Sequence, residues 1–569
     1  MRSSATEAAG HATHAVGPAA GGAPGRAAGV RSLCEAFQAT AVAFGGEVAL
    51  RTSDGCVELT WDQYRARVES VARGMAALGV QRGETIAMLL RNRPEFHVLD
   101  LAALHLGVTP FSIYGTSAPA QIAEVCANAQ PRLIVTEPGF LDRVREARGL
   151  LATRPEVVVI DGEAPGALTL AEVEAARAAE FPFEQCWRRV GGEDIATLIY
   201  TSGTTGAPKG VMITHRNLLA AWDSSVAAAP VLARRGRYVS YLPTAHLADR
   251  VFSHYPALRN GSTITCVEDP RAAVAQLPGI RPSVWMAVPR IWEKLKDAIE
   301  AGAFGVLDEG LRQRLGLDAA ELLVSGAAPI REDVLGFFAR LGIEICEGYG
   351  MTESTAIATL NRPGATRAGT VGPPMPGVEV ALAEDGEVLL RGPAVMAGYR
   401  GQPKQTAEAI DRDGWLHTGD IGGLDEDGYL RIVDRKKELI INAAGKNMSP
   451  QNIEAKLKAA SSLIGHAVAI GDRRPYNTAL LVLDPDMLAF HGLSAEGAEV
   501  HEQLLAAVEH ANGELSRVEQ VKRFTLVDGT WQPGGELVTP TLKLKRRPIA
   551  ERYAAEIEAM YNRGRQEQG

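Results

Sequence analysis

Residues 200–214 read YTSGTTGAPKGVMIT, and this stretch decides how the chain around it is interpreted. The apolar run IATLIY before the polar segment and the run GVMIT after it both indicate strands, so the segment joins strand to strand. Its glycines open backbone N–H groups to an anion, its Ser and Thr side chains add hydroxyl donors, and Lys209 adds a positive charge. We therefore expect a polyphosphate ligand, with a plain polar hairpin turn as the alternative.

The most familiar phosphate-loop pattern, G-x-x-x-x-G-K-[ST], does not fit this segment. Counting from Gly203 places Pro208, not glycine, at the sixth position. That pattern also joins a strand to a helix and uses the N-terminus of the helix. Here a helix is expected only after the second strand, with Thr214 as its cap. The spacing therefore excludes a P-loop ATPase and a protein kinase.

The chain on both sides of this segment alternates strand-length apolar runs with longer amphipathic runs. Strands are predicted at ETIAMLL (84–90), RLIVT (132–136) and EVVVI (156–160), and a helix begins after Thr60 or Asp62. Such alternation is typical of α/β folds with a largely parallel sheet. The stretch GVEVALAEDGEVLLRG at 377–392 predicts instead a hairpin in an antiparallel region.

A change in pattern near Asp434 indicates a second, smaller unit. An apolar strand gives way there to a charge cluster, and a new helix is expected with Ser449 as cap and Pro450 in its first turn. We predict an α/β fold whose large N-terminal domain contains two α/β subdomains and a small antiparallel β region, followed by a small mobile α+β C-terminal domain. The predicted bounds are a disordered tail at 1–31, the large domain at 32–433, a hinge at 434–437, the small domain at 438–562 and a tail at 563–569.

Composition narrows the class of protein and of partner. The chain has 569 residues and a net charge of −9, which argues against a nucleic-acid surface. No apolar run approaches the roughly 18 residues of a membrane span. The six cysteines are scattered without a C-x-x-C pair, which fits a reducing compartment, and we expect a cytoplasmic protein. A weak peripheral membrane contact is left open, and the sequence does not give the oligomeric state.

Four further motifs follow the opening stretch in order: EGYGMTE (347–353), GWLHTGDIG (414–422), DRKKELIINAAGKNMSPQNIE (434–454) and TPTLKLKRRP (539–548). Together the five resemble the signatures of adenylate-forming enzymes, a family of acyl-CoA synthetases, luciferases and peptide-synthetase adenylation domains. The resemblance runs from about residue 32 to about residue 562. LPTAHLADR (242–250), PRIWEKL (289–295) and GKNMSP (445–450) most resemble bacterial long-chain fatty acyl-CoA synthetases.

The resemblance implies a two-step reaction with ATP, Mg2+ and coenzyme A. A carboxylate first attacks the α-phosphate of ATP and gives an acyl-adenylate and pyrophosphate. The thiol of coenzyme A then takes the acyl group and releases AMP. A medium- or long-chain fatty acid is the implied substrate.

The resemblance also implies which residues hold the nucleotide. Those expected at the β- and γ-phosphates are Thr201, Ser202, Gly203, Thr204, Thr205, Gly206 and Lys209. Those expected around the adenine are Ser325, Gly326, Ala327, Glu347, Gly348, Tyr349 and Gly350. Asp420 and Arg435 are expected at the ribose, and Ile432 is counted with the nucleotide site.

Four residues are implied for catalysis. Thr352 would donate to the α-phosphate, Glu353 would help hold Mg2+, and Lys543 would reach the reacting oxygens from the small domain. LKLKRR has Leu542 where many relatives have glycine, so Lys545 competes with Lys543, and a solvated basic run is the structural alternative. His246 matches an active-site histidine that borders the acid pocket, with a buried structural histidine as the other interpretation.

The second step is implied to use a rotated small domain. Lys437 occupies the hinge position, and Gly445 would let the thiol of coenzyme A pass close to bare backbone.

An apolar tunnel is expected for the acyl group. Tyr241, Leu242, Val324 and Gly348 are its expected lining residues. Only 26 residues separate PRIWEKL from LLVSGAAP, where long-chain relatives usually carry a longer helical segment, so the length of the acid is left open.

Three rival functions remain beside the synthetase. A fatty acyl-AMP ligase would load a carrier protein, but no inserted segment is visible after TVGPPMPGVEV, and GKNMSP fits thioester formation better. A ligase for an aryl, sterol-derived or polyketide acid is the second rival. A non-catalytic binding protein is the third, and the complete set of charged residues argues against it: Lys209, Glu353, Asp420, Arg435 and Lys543.

Overall fold

The computed structural model describes residues 29–562 except 177, 179–180, 202–207, 309, 442–446, 530, 533 and 540–542. The predicted tail at 1–31 thus lies outside the described residues up to residue 28, and the predicted tail at 563–569 lies outside them entirely. In the part of the chain that the structure covers, no helix has both the length and the apolar character needed to cross a bilayer.

An eight-stranded sheet forms the first layer of the N-terminal part. Its strands, in spatial order, are Gly398–Tyr399, Lys209–Thr214, Ile195–Thr201, Thr109–Ser112, Thr85–Leu89, Pro131–Thr136, Glu156–Val159 and Leu168–Thr169. The six strands from Ile195–Thr201 onward are parallel, and Lys209–Thr214 is antiparallel to both its neighbours. The predicted strands and their parallel pairing are confirmed.

Two four-stranded sheets form the second layer. One has the order Arg237–Ser240, Thr263–Cys266, Val48–Thr52 and Glu58–Thr60, and the other the order Val284–Ala287, Leu322–Ser325, Cys346–Tyr349 and Thr359–Leu360. The backbone N–H of Ser283 donates to the carbonyl of Arg237 at 3.0 Å, so the two sheets continue one another. This layer places the SGAAP and EGYG segments on adjacent parallel strands.

The helix Pro94–His105 is buried on all sides except at Glu95. It shares one core with Ile86 of the eight-stranded sheet and Ile264 of the second layer, as a helix between two sheets must. The remaining α-helices of this part are Leu33–Phe44, Trp61–Ala77, Pro119–Ala129, Leu141–Gly149, Leu170–Ala175, Phe183–Arg188, His215–Ala228, Leu247–Asp249, Tyr255–Asn260, Ala273–Ile280, Pro289–Glu300, Leu311–Arg314, Glu332–Arg340 and Pro403–Ala409.

The caps predicted for two of these helices are present. The Thr60 hydroxyl accepts from the N–H of Gln63 at 3.3 Å, and the Thr214 hydroxyl accepts from the N–H of Asn217 at 3.1 Å. In both cases the third helical residue returns a side-chain bond to the cap, which completes a capping box.

A small antiparallel sheet follows and consists of Glu379–Leu382, Glu387–Arg391, Leu416–Leu424 and Leu430–Arg435. Its first two strands are the hairpin predicted at 377–392.

The C-terminal part is a separate α+β unit. Its three-stranded sheet is Ile464–Ile470, Asn477–Leu483 and Val521–Leu526, and a two-stranded ribbon joins Ile440–Ile441 to Asn447–Met448. Its helices are Pro450–Ala460, Pro485–His491, Ala498–Glu514, Arg546–Arg552 and Ala554–Asn562. The Ser449 hydroxyl caps the first helix by accepting from the N–H of Asn452 at 3.0 Å. The predicted fold class is confirmed, and the mobility of this unit stays a prediction.

Candidate active site

The opening stretch forms the predicted strand-to-strand hairpin. Thr201 and Lys209 face each other where its two strands end. Ser202, Gly203, Thr204, Thr205 and Gly206, expected at the phosphates, lie outside the described residues. The ammonium group of Lys209 lies 4.7 Å from the ring centre of Tyr399, on the neighbouring edge strand. The positive charge of Lys209 therefore lies at the loop end of the hairpin, where a phosphate is expected.

Glu353 lies beside this hairpin in a buried turn, Thr352–Ser354. The hydroxyl of Tyr399 donates to its carboxylate at 2.8 Å. Burial, followed by the Glu353 charge, raises the pKa of Tyr399, so the phenol stays protonated and keeps donating. Tyr399 thus links the phosphate hairpin to the expected metal ligand. Tyr399 was not among the predicted residues, because it lies 46 residues from Glu353 and no local pattern marks such a contact.

The turn that presents Thr352 and Glu353 has a strained backbone. Thr355 and Ala356 have φ of 54° and 78°, values that side chains other than glycine rarely adopt. A Cβ atom on Gly350 would lie 1.9 Å from the carbonyl oxygen of Ala356. Only glycine fits there, which is the physical reason for the second glycine of EGYG.

The two segments expected around the adenine lie side by side. Ser325 pairs with Glu347 in a parallel register, and a Cβ on Gly326 would approach the carbonyl oxygen of Gly348 to 3.2 Å. Ala327 then turns away with a φ of 68°. The bare backbone of these segments leaves room for a flat ring to approach.

Glu347 is buried between these segments. Its carboxylate accepts from the backbone N–H of Ile330 at 3.2 Å. Burial raises the pKa of Glu347 to about 7, and the Glu332 charge acts in the same direction. The side chain therefore titrates near neutrality, beside the strands expected to hold the base.

The residues expected at the ribose form one hydrogen-bonded group. Asp420 and Arg435 face each other on adjacent antiparallel strands, and the guanidinium lies 2.7 Å from the carboxylate. The other carboxylate oxygen accepts from the hydroxyl of Tyr349 at 2.6 Å. Ile432 packs in the same apolar cluster as the Tyr349 ring. The structure thus brings together three predicted residues from three motifs, and with them Ile432.

Lys543 enters this group from the C-terminal part. Burial lowers the pKa of Lys543 below its ordinary value, and the Arg435 charge lowers it further. The carboxylates of Asp420, Glu438 and Glu353 act on it in the opposite direction. Lys543 as a whole residue is exposed, while the protein around its ammonium group desolvates that group in part. Lys543 therefore lies where the resemblance expects a cation for the reacting oxygens.

The competing Lys545 points elsewhere. Its ammonium group donates to the carbonyl of Gly535 at 2.9 Å, within the C-terminal part. The backbone N–H of Lys543 donates to the hydroxyl of Thr539. This bond fixes the backbone that presents the Lys543 side chain. These contacts favour Lys543 over Lys545.

His246, on the N-terminal part, lies within the electrostatic influence of Lys543. Its Nδ1 accepts from the N–H of Ala248 at 3.1 Å, so the neutral ring carries its proton on Nε2. Burial lowers the pKa of His246 to about 4, and the charge of Lys543 lowers it as well. A neutral imidazole near Lys543 can donate to a carboxylate without adding a second charge.

A buried arginine fixes the loop that carries His246. The Nε of Arg250 donates to the carbonyl of Thr244 at 3.0 Å, and its other nitrogens donate to Asp100, Tyr255 and Ser112 at 2.5, 2.8 and 3.1 Å. Both Arg250 and Asp100 are wholly buried, so each neutralises the other. The pair ties the loop to the central helix.

A narrow apolar cavity lies next to the strand that leads to Ser325. It is tight, with a volume of about 40 Å3, and it is partly open to solvent. Val324 lines it as predicted, but the other expected lining residues, Tyr241, Leu242 and Gly348, do not. Tyr241 instead packs in a separate hydrophobic core, and its hydroxyl donates to the carbonyl of Met286. The walls come largely from the helix His215–Ala228 and from residues 251–259, which local patterns did not indicate.

The residues expected for the second step are placed only in part. Lys437 is exposed, as a hinge position requires, and Gly445 lies outside the described residues. Asp434, at the start of the predicted hinge, is buried and accepts from the Ser449 hydroxyl and from the N–H of Gln451.

The donor set at Glu353 fits Mg2+. The residues that the structure describes contain no cluster of three or more metal-ligating side chains. Mg2+ commonly binds one or two carboxylates together with substrate phosphates. Glu353 supplies the carboxylate, and the hairpin at Lys209 is the expected phosphate site.

Two family models match this chain. One, described as AMP-binding enzyme, matches residues 37–400, and the other, described as AMP-binding enzyme C-terminal domain, matches residues 437–565. The chain belongs to the AMP-binding enzyme family. This confirms the resemblance to adenylate-forming enzymes, and the exact domain bounds and the hinge at 434–437 stay predictions.

Named relatives of this AMP-binding enzyme include ligases from bacteria and vertebrates. It is 48% identical over 454 residues to the putative fatty-acid–CoA ligase fadD11 of Mycobacterium tuberculosis, covering 70% of this chain and 79% of that protein. It is 34% identical over 573 residues to the long-chain-fatty-acid–CoA ligase FadD15 of Mycobacterium bovis, covering 90% and 94%. The Xenopus laevis ligase ACSBG2 is 28% identical, covering 93% and 84%.

Solved structures support the fold. The anthranilate CoA ligase AuaEII in complex with anthranoyl-AMP superposes with a TM-score of 0.77 at 21% identity, covering 93% of this chain and 98% of that one. The A-PCP didomain of a carboxylic acid reductase from Segniliparus rugosus in complex with AMP also gives 0.77 at 21% identity, covering 95% and 83%.

Proposed function

We propose that this AMP-binding enzyme is an ATP-dependent fatty acyl-CoA synthetase. The observation that carries the proposal is the hydrogen-bonded group of Asp420, Arg435 and Tyr349, whose charges act on Lys543 of the C-terminal part. The names of the relatives at 48% and 34% identity support a fatty acid as the substrate.

The first step joins two anions, and the site supplies charges that oppose their repulsion. A carboxylate oxygen attacks the α-phosphorus, and the bond to the β-phosphate oxygen breaks with release of pyrophosphate. Two unit charges about 4 Å apart repel by roughly 4 kcal/mol at an effective dielectric near 20, about three orders of magnitude in rate. Lys543 offsets this repulsion at the reacting oxygens, and Lys209 does so at the leaving pyrophosphate.

Other residues of the chain hold the substrates in line. His246 donates from Nε2 to the carboxylate, and the Asp420–Arg435–Tyr349 group fixes the ribose. Glu353 holds Mg2+, which when bound neutralises phosphate charge. Tyr399 keeps the Glu353 carboxylate oriented toward the hairpin.

The second step forms the thioester. The thiol of coenzyme A attacks the acyl carbon of the adenylate, and the bond to the phosphate oxygen breaks with release of AMP. We propose that the C-terminal part rotates about residues 434–437, withdraws Lys543 and presents the loop with Gly445.

A panel of acids tests this function. AMP release and thioester formation are measured with saturated fatty acids of several lengths, aryl acids and sterol-derived acids, each with and without coenzyme A. We expect thioester formation from the fatty acids and from no other class of acid. AMP release should depend on coenzyme A. Turnover without thioester would indicate an acyl-AMP ligase, and thioester from a non-fatty acid would indicate the other ligase class. Absence of AMP release with every acid would contradict enzymatic activity.

A further inference from the structure

One charged side chain lines the apolar cavity among the residues that the structure describes, and it is Arg259. Only 8% of this side chain is exposed. Its guanidinium contacts the carboxylate of Asp223 at 3.3 Å, and Asp223 is 55% exposed. A desolvated cation in an apolar wall is costly, so its place in the cavity calls for a physical reason.

The cavity has an inner and an outer end. Val324 and Thr355 lie at the inner end, because each is one to three residues from a side chain of the proposed active site. We infer that Arg259 marks the outer end, because its partner Asp223, on the helix His215–Ala228, is 55% exposed. A chain that enters from the active site would therefore meet Arg259 with its far terminus.

Arg259 has unused hydrogen-bond donors. A guanidinium offers five N–H groups, and within the described chain Asp223 is the one acceptor that Arg259 contacts. The buried Arg250, nine residues earlier, donates to four different residues. Burial lowers the pKa of Arg259, and the Asp223 charge opposes this shift without reversing it. Arg259 thus makes fewer hydrogen bonds within the described chain than its neighbour, and none of its unpaired nitrogens is wholly buried.

We propose that Arg259 determines specificity in the acyl cavity by favouring acids with a neutral oxygen, a hydroxyl or a keto group, at the far end of the chain. This inference rests on the proposed acyl-CoA synthetase function. The methyl end of an ordinary fatty acid would cover the donors of Arg259 without bonding to them, which is unfavourable. A second carboxylate would face Asp223, which already neutralises the guanidinium, so a neutral acceptor fits best.

The test compares acids of equal length on the full-length enzyme. Saturated fatty acids, ω-hydroxy acids and α,ω-diacids form a length series, and kcat/KM for AMP release in the presence of coenzyme A is measured for each. Binding of the same acids is measured by calorimetry without ATP. At the length that reaches Arg259, we expect the ω-hydroxy acid to exceed the saturated acid by about tenfold in both measurements, the worth of one hydrogen bond to a charged donor.

Substitutions test whether Arg259 causes this ratio between the ω-hydroxy acid and the saturated acid. Arg259→Met should abolish the preference for the hydroxy acid, and Arg259→Lys should retain part of it. Arg234→Met is the matched control, because Arg234 is 70% exposed, pairs with Glu321 and does not line the cavity. Its ratio should equal that of the wild type.

Four outcomes would decide against the proposal or its basis. A preference for the saturated acid at every length, or a ratio unchanged in Arg259→Met, would overturn the role of Arg259. A preference for the diacid would overturn the neutral acceptor. If calorimetry showed the preference for the ω-hydroxy acid but no acid gave AMP release, the role of Arg259 would be supported. The proposed function would then be contradicted.

Discussion

Lys543 and Lys545 are two residues apart, and the contacts of their ammonium groups give them different roles. The first shares the cleft with Asp420, Arg435 and His246, whereas the second is bound to the carbonyl of Gly535. These different contacts could not be read from a basic run alone.

Lys543→Ala should therefore remove most of the first half-reaction. The loss of one cation near the reacting anions predicts a fall of about 10²- to 10³-fold in adenylate formation. Thioester formation from supplied acyl-adenylate should change little, because the proposed rotation withdraws Lys543 in that step. Both half-reactions are measured by single turnover. Lys545→Ala is the matched control, and adenylate formation that fails equally in both variants would contradict the assignment.

A buried histidine gives a pH-dependent contribution to stability. His215 accepts from the N–H of Leu33 at 3.1 Å, and burial lowers its pKa from 6.5 to about 4. Between these values the unfolded chain binds more protons, so this residue destabilises the fold as the pH falls below 6.5. At pH 5 the cost is about 2 kcal/mol relative to pH 7.

His215→Asn keeps an acceptor for Leu33 and removes the titration. Wild type and variant are unfolded in urea at pH 7 and at pH 5. The stability of the wild type relative to the variant should fall by about 2 kcal/mol between the two pH values. A difference that is the same at both pH values would show that His215 is not the titrating group.

At the scale of elements, the turn after the strand Cys346–Tyr349 positions Glu353. Gly350→Ala would push a Cβ atom into the carbonyl of Ala356, at 1.9 Å. We expect a loss of about 1–3 kcal/mol of stability and a larger relative loss of adenylate formation, since Thr352 and Glu353 move with the turn. Gly336→Ala, in the helix Glu332–Arg340, is the control, because its nearest atom lies at 3.7 Å. Equal activity losses in the two variants would exclude a specific role for the turn.

Elements were predictable from sequence where their causes are local. The hairpin at 377–392 and the caps Thr60, Thr214 and Ser449 each depend on a few neighbouring residues. Contacts between distant elements were not predictable in this way.

The role of Tyr399 depends on an edge strand that pairs with the phosphate hairpin. The Asp420–Arg435 contact depends on strand register, and the Arg250–Asp100 pair depends on a central helix. For the nucleotide residues, the resemblance supplied what local patterns could not. It gave no guide to the walls of this cavity, which Val324 lines and the other expected lining residues, Tyr241, Leu242 and Gly348, do not.

At the scale of the whole molecule, ion pairs hold the C-terminal part where Lys543 reaches the cleft. Arg290 pairs with Asp484, and Lys294 pairs with Asp486 at 2.7 Å. Arg290 and Lys294 lie on the helix Pro289–Glu300, and their partners lie at the start of the helix Pro485–His491. A rotation that withdraws Lys543 would have to break these pairs.

Arg290→Met should shift the enzyme away from this arrangement. The pair is partly exposed, so its loss is worth about 1 kcal/mol, or roughly fivefold in the equilibrium between the two arrangements. We expect slower adenylate formation and thioester formation from supplied acyl-adenylate that is unchanged or faster. High salt should slow adenylate formation of the wild type more than that of the variant, because exposed ion pairs are screened. Arg331→Met, which removes the Arg331–Asp333 pair within the N-terminal part, is the control. If both half-reactions slowed to the same extent in Arg290→Met, the pair would be a general support of the fold rather than a contact specific to one arrangement.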